Sequence, residues 1–271
     1  MSEEAYLSLN ELIAQRFGIE FPQHRKEILE TRLRPRVETL RLPSFWDYYL
    51  HVRGDQNGER QRLAELVTNN ETFFFRELRQ LQCFVHEAAP ALQPAGGAPL
   101  RVLCAGCSSG EEPYSLSILA RSGGAAPLAI DAFDIDAHRI EAAKRAQYGR
   151  NALRQLSPEQ LERYFSPCVS PCGLEQWSLR SFWQNGVNFS WGNLVELETF
   201  RGDRLYDAVF CRNVLIYFSP AALELAARHF AAVLRPGGLL FLSAAESIIG
   251  LSDRFETVRL SCAMAYRRLP D

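Results

Sequence analysis

The sequence lacks the features that would place the chain in a membrane or on a nucleic acid. It has no apolar run of membrane-spanning length, and its N-terminal segment MSEEAYLSLNELIAQ is acidic and amphipathic, unlike a signal peptide. The 30 basic residues nearly balance the 32 acidic ones, so the formal net charge is only -2. This balance offers no global attraction to nucleic acid or to an anionic membrane. We expect a cytoplasmic protein without membrane insertion and without a nucleic-acid partner.

Cysteine is too sparse for a disulfide framework. The seven cysteines form an odd, scattered set, unlike the dense pattern of a small secreted domain, so reduced thiols are expected. Cys104 with Cys107 and Cys168 with Cys172 would together supply four zinc ligands. The two pairs lie far apart in the chain, however, and Cys104 ends an apolar strand. We therefore predict no metal site.

Length and composition indicate two folding units. Apolar residues make up 47% of the chain and charged residues 23%, which is enough apolar material for a packed core. Residues 1–90 carry helical periodicity only, residues 91–99 are rich in Pro, Gly and Ala, and residues 100–271 alternate between strands and helices. We predict an all-α N-terminal domain, a linker and an α/β domain.

Apolar stripes define the helices of the first domain. The first stripe stops at Gly18, the second covers residues 24–41, the third follows a capping Ser44, and the fourth runs from about 58 to 68. Pro35 falls inside the second stripe. Because proline removes a hydrogen bond and its ring crowds the preceding turn, we expect a kink or a division of that helix.

The second domain is predicted to contain a mostly parallel sheet with helices on both faces. Strand-like segments followed by turns or helical stripes lie at 100–105, 128–134, 206–211 and 238–244. This alternation breaks between about 157 and 192, where tryptophans, alternating runs and an Asn-Gly turn signal indicate an inserted antiparallel hairpin unit.

Two strand ends carry residues suited to a nucleotide-like cofactor, because ligands bind beyond the carboxyl ends of parallel strands. The first strand runs into a Gly-containing turn at 106–110, and Pro113 is expected to begin the next helix. The spacing is not Gly-x-Gly-x-x-Gly, which disfavours a nicotinamide or flavin. After the second strand, Asp136 suits a helix cap, leaving Asp134 to accept both hydroxyls of a ribose. A tight turn and a solvated loop acid are the alternatives.

Several segments resemble the signature motifs of the CheR methyltransferases. Residues 68–77 (TNNETFFFRE) are similar to their Thr-x-Asn-x-Thr-x-Phe-Phe-Arg signature, residues 110–115 (GEEPYS) to their first cofactor loop, and residues 210–218 (FCRNVLIYF) to their Cys-Arg-Asn-Val-x-Ile-Tyr-Phe segment. Residues 234–238, followed by Glu-Ser at 246–247, resemble their last hairpin. The resemblance is specific and covers nearly the whole chain.

This resemblance implies a fold, a cofactor and a reaction. The fold is a Rossmann-like class I methyltransferase sheet with an N-terminal all-α domain and a small inserted antiparallel β subdomain. The expected cofactor is S-adenosyl-L-methionine, which would leave as S-adenosyl-L-homocysteine. The expected acceptors are glutamate side chains of the cytoplasmic domain of a methyl-accepting chemoreceptor. A monomer is expected. In some relatives the inserted hairpins bind a receptor C-terminal tail peptide, and the sequence leaves that interaction open.

The resemblance also implies the residues of the site. Together with Gly106 of the first turn, these residues are expected around the cofactor: Asn70, Thr72, Arg76, Glu112, Asp134, Asn193, Leu194, Arg212 and Asn213. Glu112 is expected to face the cofactor's ammonium group. Arg76 and Tyr217 are the catalytic candidates, since a guanidinium and a phenol can both orient a carboxylate. Outside the family context, Arg76 would be taken to lie over apolar surface and Tyr217 to be a half-buried packing residue.

A basic helix is the candidate docking face, because receptor helices that carry substrate glutamates are rich in acid. Residues 24–41 contain six basic and three acidic residues, and Arg25, Arg32 and Arg36 fall near one helix face. An ordinary solvated face is the alternative.

Two other functions are disfavoured. A methyltransferase for nucleic acid or a small molecule would be supported by an Asn/Asp-Pro-Pro-aromatic motif, but Arg212-Asn213 stands at that place. A protein that binds the cofactor without turnover is disfavoured because Arg76, Asp134 and Tyr217 are all intact.

Overall fold

The computed structural model describes residues 1–54, 58–93, 96–124, 127–196 and 205–270, and it places a set of helices ahead of an α/β unit. The N-terminal helices are α1 (Glu3–Phe17), α2 (Lys26–Thr39), α3 (Phe45–Gly54) and α4 (Glu59–Val67). They confirm the helices predicted from apolar spacing. Gly18 ends α1 with a φ of +76°, and a Cβ there would lie 2.9 Å from the Val195 side chain, so glycine is required at this turn.

The second helix is continuous, contrary to the expected kink or division at Pro35. Leu29, Leu33 and Val37 recur every four residues and are all buried, so packing of one stripe holds the helix on the core. Pro35 and Thr31, whose carbonyl would have accepted the missing bond, are both exposed. Water can therefore replace that bond, and the helix passes through the proline.

A buried ion pair joins α2, α3 and α4. Glu59 is only 3% exposed and accepts hydrogen bonds from Nε (2.9 Å) and Nη2 (2.6 Å) of Arg36 and from the Tyr48 hydroxyl (3.1 Å). Burial alone would raise the pKa of Glu59, but the bonds from Arg36 and Tyr48 outweigh it and lower the pKa from its ordinary value. Arg36 thus serves the helical core.

Seven strands of the described residues form one sheet in the order β6-β2-β1-β7-β8-β10-β9. Its strands are β1 (Leu100–Ala105), β2 (Leu128–Asp134), β6 (Val187–Trp191), β7 (Tyr206–Phe210), β8 (Leu234–Phe241), β9 (Phe255–Arg259) and β10 (Met264–Arg268). Neighbours from β6 to β8 run parallel, while β10 pairs antiparallel with β8 and β9. The mostly parallel sheet confirms the predicted fold class.

Helices cover both faces of this sheet, and each face has its own apolar core. They are α5 (Leu78–Cys83), a π-helical turn (Phe84–Ala88), α6 (Ala89–Leu92), α7 (Glu111–Ser122), α8 (Ala137–Arg145) and α11 (Pro220–Val233). Phe84 packs edge-to-face on Phe210 and Phe241 of the sheet, with ring centroids 5.1 and 5.4 Å away. Residues 78–92 therefore pack with the α/β unit rather than with the helices of the predicted 1–90 domain. Of the predicted linker 91–99, residues 94 and 95 lie outside the described residues.

A small antiparallel sheet projects from the α/β unit, as predicted, but with different limits. It consists of β3 (Gln147–Tyr148), β5 (Glu175–Leu179) and β4 (Phe165–Val169) in that order, with α9 (Pro158–Tyr164) before β4 and α10 (Ser181–Gln184) after β5. The predicted unit at 157–192 was too long at its end, because β6 pairs in parallel with β2. Asn185-Gly186 leads into that edge strand and is not a hairpin turn.

Removing the Arg36 side chain should destabilise the protein. In Arg36→Ala, buried Glu59 loses its cation, so we expect a loss of about 2–3 kcal/mol in the free energy of unfolding at pH 7, measured with urea. Because the folded-state pKa of Glu59 is lowered, this contribution is present above the ordinary pKa and is lost as pH falls through the folded value.

Arg34→Ala on the same helix is the matched control. Arg34 pairs with Glu30 on the surface, its side chain is 54% exposed, and such pairs contribute under about 1 kcal/mol. Equal effects of the two substitutions would contradict a structural role specific to Arg36.

Candidate functional site

A large cavity lies at the carboxyl ends of β1, β2, β6 and β7, where the helical N-terminal part meets the sheet. Its empty volume, with the open mouth included, is about 990 Å³. The structure brings together there every residue predicted to bind the cofactor or to act in catalysis: Asn70, Thr72, Arg76, Gly106, Glu112, Asp134, Asn193, Leu194, Arg212, Asn213 and Tyr217.

The turn after β1 forms one wall of the cavity. Gly106 has a φ of +79°, and a Cβ there would lie 2.6 Å from the Val214 side chain, so only glycine lets these two loops approach. The backbone N–H of Ser108 donates to Asp134 (2.7 Å). Helix α7 begins at Glu111, before Pro113, so the predicted start of this helix was two residues late.

Asp134 and Asp136 at the end of β2 have separate tasks. Asp136 accepts from the Arg139 N–H (3.1 Å) and caps α8, as predicted. Asp134 lines the cavity, and its second oxygen accepts the Asp136 N–H (2.9 Å). Burial raises the pKa of Asp134 to about 6, although the backbone N–H groups oppose the shift. The site therefore holds a buried carboxylate that favours further hydrogen-bond donors.

Arg212 joins three segments at the floor of the cavity. Its side chain is 2% exposed, and it donates to Glu112 (2.8 Å) and to the Arg76 carbonyl (2.8 Å) while pairing with Glu77 (3.3 Å). Burial raises the pKa of Glu112, and the attraction of Arg212 opposes that shift. One oxygen of Glu112, the residue expected to face an ammonium group, is thus already engaged by an arginine.

The two catalytic candidates lie in turns from different parts of the chain, Tyr217 at the end of the 3₁₀ turn Leu215–Tyr217. Arg76 donates to the Glu71 carbonyl (2.6 Å) with its guanidinium 5.8 Å from the Phe73 ring centroid. The Tyr217 hydroxyl accepts from the Asn69 side-chain amide (2.6 Å). Because Asn69 donates, the hydroxyl hydrogen of Tyr217 can donate to another group.

The Tyr217 loop is also bound to the end of α1. The Glu20 N–H donates to the Tyr217 carbonyl (2.8 Å), and the Ser219 N–H donates to the Gly18 carbonyl (2.8 Å). Ile19 and Phe218 form an antiparallel bridge between these contacts. The N-terminal helices therefore help to shape the cavity.

The motif loop 68–77 closes the cavity from the helical side. The Asn70 side-chain amide donates to Asp136 (2.9 Å), which ties the loop to the end of β2. Across the cavity, Asn193 donates to the Arg16 carbonyl (2.8 Å) and its side-chain oxygen accepts the Val195 N–H (3.2 Å). Both asparagines therefore position backbone segments as well as line the cavity.

The three arginines of the predicted docking face do not form one open basic surface. Arg25 is half-buried at the start of α2. Arg32 donates to the Val67 carbonyl and to the Thr68 carbonyl (3.1 Å), with its guanidinium over the Phe21 ring. Arg36 is bound to Glu59 and contributes little net charge to the surface. Helical spacing alone did not reveal these inward contacts.

Some residues of the cavity were not assigned from the sequence. Thr68, Asn69 and Phe73 line it from the motif loop, and Ile135 and Val214 from the ends of β2 and β7. Asn69 and Phe73 belong to the quoted motif, so the motif itself could have identified them. Val214 belongs to another quoted motif, at 210–218, and could have been identified in the same way, whereas Ile135 lies in none of the quoted motifs and reaches the cavity because β2 is a neighbour of β1.

The described residues contain no cluster of three or more His, Cys, Asp or Glu side chains arranged to hold a metal ion. All seven cysteines carry free thiols. Among the same residues, none of the helices combines the length and the apolar character that crossing a membrane requires.

Comparison with known proteins decides the family. The all-alpha domain of CheR methyltransferases matches residues 4–68, and their SAM binding domain matches residues 70–264. The chain belongs to the CheR methyltransferase family. The limit between the two matches agrees with the packing of residues 78–92 on the sheet. The cofactor of this CheR protein is S-adenosylmethionine, and the chain is a methyltransferase of the chemotaxis type.

Several chemotaxis protein methyltransferases are similar over nearly the full chain. That of Vibrio anguillarum is 32% identical over 98% of both chains. That of Salmonella typhimurium is 35% identical over 94% of this chain and 88% of its own. The solved magnesium protoporphyrin IX methyltransferase of Synechocystis has a TM-score of 0.38 at 18% identity over 79% of this chain and 92% of its own, a likeness too low to bear on function.

The ion pair between Arg212 and Glu112 can be tested by a double-mutant cycle. Arg212→Gln strands the largely buried Glu112 carboxylate, so we expect a loss of about 3 kcal/mol in unfolding free energy. Adding Glu112→Gln removes the stranded charge, and the double variant should be more stable than the single by about 1 kcal/mol. Urea denaturation measures both. The cycle is completed by the Glu112→Gln single variant. If the loss of unfolding free energy in the double variant equalled the sum of the losses in the two single variants, direct pairing would be contradicted.

Proposed function

We propose that this CheR protein transfers a methyl group from S-adenosylmethionine to glutamate side chains of the cytoplasmic domain of a methyl-accepting chemoreceptor. The products would be glutamate methyl esters and S-adenosylhomocysteine. One observation supports this most directly: a single cavity holds a buried strand-end carboxylate, Asp134, and two carboxylate-orienting groups, Arg76 and Tyr217.

The cavity suits the parts of the cofactor. Asp134 is the proposed acceptor for the two ribose hydroxyls, because its carboxylate lines the cavity. The hydrogen bonds described for this carboxylate come from the backbone N–H groups of Ser108 and Asp136, and neither donor is a cation. The close approach of Gly106 to Val214 brings the turn after β1 against the segment after β7, and both line the cavity. We assign the amino-acid tail to the Arg76 and Glu112 end, and the adenine to Asn193 and Leu194.

The proposed reaction is an in-line displacement. When bound, the cofactor supplies an electrophilic methyl group on a sulfonium. The glutamate oxygen forms a bond to the methyl carbon while the carbon–sulfur bond breaks and sulfur keeps the electron pair. A glutamate with a reference pKa of about 4.3 is already ionised near neutral pH, so the site needs no general base. Its residues position the carboxylate and keep water from it.

Tyr217 and Arg76 are the proposed orienting groups. The Asn69 amide occupies one lone pair of the Tyr217 oxygen, so the hydroxyl hydrogen can be directed to the incoming carboxylate. One nitrogen of the Arg76 guanidinium donates to the Glu71 carbonyl, and its other N–H groups can donate to the substrate or to the cofactor tail.

Docking of the receptor is proposed on α2. Acidic receptor helices would be attracted by Arg25 and by Arg32, which lies beside the cavity through its bond to the Thr68 carbonyl. Arg36, the third predicted docking residue, would act mainly by holding the helix. In the small sheet β4 is an edge strand, and its unpaired side offers a place for an extended receptor tail peptide. The proposed assembly is a cytoplasmic monomer on its receptor.

The ribose assignment predicts pH-dependent binding. Ribose hydroxyls donate to an ionised carboxylate, and the pKa of Asp134 is about 6, so S-adenosylhomocysteine should bind more weakly at pH 5.5 than at pH 7.5. Asp134→Asn should weaken binding by about 10- to 100-fold at pH 7.5 and abolish this dependence. Calorimetry measures both effects.

Asp131→Asn is the control for the Asp134 substitution, because Asp131 lies on the same strand but bonds to Tyr206 and Arg101 away from the cavity. It should bind the ligand like the wild type. An unchanged affinity and pH dependence in Asp134→Asn would remove Asp134 from the ribose site.

The catalytic assignment is tested by single-turnover transfer of radiolabelled methyl groups to receptor cytoplasmic fragments at saturating cofactor. Tyr217→Phe should lower the rate at least about 10-fold with little change in S-adenosylhomocysteine affinity, because the hydroxyl acts mainly in the transition state. Tyr206→Phe, which removes a hydroxyl bound to Asp131, is the control. Label that is released as methanol by base identifies an ester.

Two outcomes would contradict the proposal. Transfer to RNA or to a metabolite, with none to receptor fragments, would replace the substrate class. Tight cofactor binding without any transfer would favour a protein that binds the cofactor without turnover. Full activity of Tyr217→Phe would leave the function standing but would make Tyr217 a packing residue.

A further inference from the structure

Glu246, outside the cavity lining, gathers an unusual number of hydrogen-bond donors. One carboxylate oxygen accepts the backbone N–H groups of Val214 (2.7 Å), Leu215 (2.7 Å) and Ile216 (3.3 Å). The other accepts the N–H of Asn213 (2.8 Å) and both the N–H (2.9 Å) and the hydroxyl (2.6 Å) of Ser243. Six donors therefore converge on one side chain.

These donors connect two neighbouring strands at the edge where the cavity lies. Residues 213–216 follow β7, and Ser243 follows β8. The 3₁₀ turn Leu215–Tyr217 leaves its first N–H groups without helical partners, and the carboxylate of Glu246 satisfies them. A carboxylate offers only acceptors, so it suits a position surrounded by donors. Glu246 thus anchors the segment that carries Asn213 and Tyr217.

The anchored backbone is strained. Asn213 has a φ of +61°, in the left-handed region, which asparagine adopts more often than other residues with a side chain but which remains uncommon. Such a conformation persists only where surrounding contacts determine it. The Glu246 contacts to Asn213 and to the next three N–H groups supply that constraint. At the other end of the segment, the Tyr217 N–H bond to Val214 is long (3.3 Å), and the bond from the Glu20 N–H to the Tyr217 carbonyl (2.8 Å) adds a contact from the segment after α1.

We infer that Glu246 is a positioning residue for methyl transfer, which acts by fixing Asn213 and Tyr217 at the cavity. This inference rests on the proposed function, since it assumes that Tyr217 orients the substrate carboxylate. Glu246 lies outside the set of residues that line the cavity. It sets the backbone from which the Tyr217 hydroxyl is presented to the cavity.

Glu246→Gln is the sharpest test, because it keeps the shape of the side chain. Whichever way the amide lies, its NH₂ group faces donors that formerly met an oxygen. We expect the single-turnover rate to fall about 10- to 100-fold, as a misplacement of about 1 Å in a catalytic group can do. In the Tyr217→Phe background, Glu246→Gln should lower the single-turnover rate by less than about threefold, because both substitutions remove the same contribution of the Tyr217 hydroxyl.

Two further variants provide a milder perturbation of the same contacts and a surface control. Ser243→Ala removes a single donor to Glu246 and should give a smaller loss of rate, which keeps the test decisive if Glu246→Gln folds poorly. Glu256→Gln removes an exposed carboxylate that pairs with Arg267 and should leave the rate unchanged. A full rate in Glu246→Gln, or losses that multiply in the double variant, would overturn the inference.

Hydrogen exchange separates failure of this inference from failure of the proposed function. Glu246→Gln should speed exchange of the amides at 213–216 whether or not receptors are methylated. Faster exchange together with an inactive wild type would reject the proposed reaction and keep the anchor. Unchanged exchange together with an active wild type would reject the anchor alone.

Discussion

The arrangement of the site depends on one buried cation. Arg212 lies among Glu112, Glu77 and the Arg76 carbonyl, and so it binds the loop after β7 to the start of α7 and to the end of the motif loop. A guanidinium can remain buried only where carboxylates and carbonyls compensate it. The three segments therefore have to meet at this point, and the position of the cavity walls follows from that requirement.

Several residues near Arg212 and the cavity have uncommon backbone conformations. Phe75 and Glu77 of the motif loop, Ser108 of the first turn and Asn213 after β7 all have positive φ values. These residues line or adjoin the cavity, and each is held by hydrogen bonds from another segment. Strain of this kind is tolerated where the surroundings impose it, and it keeps side chains in directions that an unstrained loop would not maintain.

Local sequence patterns predicted where the helices and strands lie better than they predicted which other elements those helices and strands pack or pair with. Apolar periodicity found the helices α1 to α4 and the strands of the parallel sheet, because burial of one face leaves a regular spacing. The same periodicity grouped residues 78–90 with the N-terminal helices, whereas they pack on the sheet, since a buried stripe does not say which core it enters. It also placed the strand at 187–191 in a hairpin, because alternation is shared by both kinds of edge strand.

The cavity residues were predictable mainly through motifs, while the contacts that hold them were not. Arg36 appeared to be a surface charge until the fold brought Glu59 beside it, and Glu246 appeared only as part of a terminal hairpin. Such pairings join residues far apart in the chain. They depend on which elements become neighbours, and no short segment of sequence carries that information.

The bridge between Ile19 and Phe218 connects the N-terminal helices to the α/β unit at the cavity. The backbone beside Tyr217 is completed by residues 18–20 at the end of α1, so neither unit contains the whole cavity. In this protein a helical unit or an α/β unit taken alone would lack part of the cavity wall, so the site requires both units together.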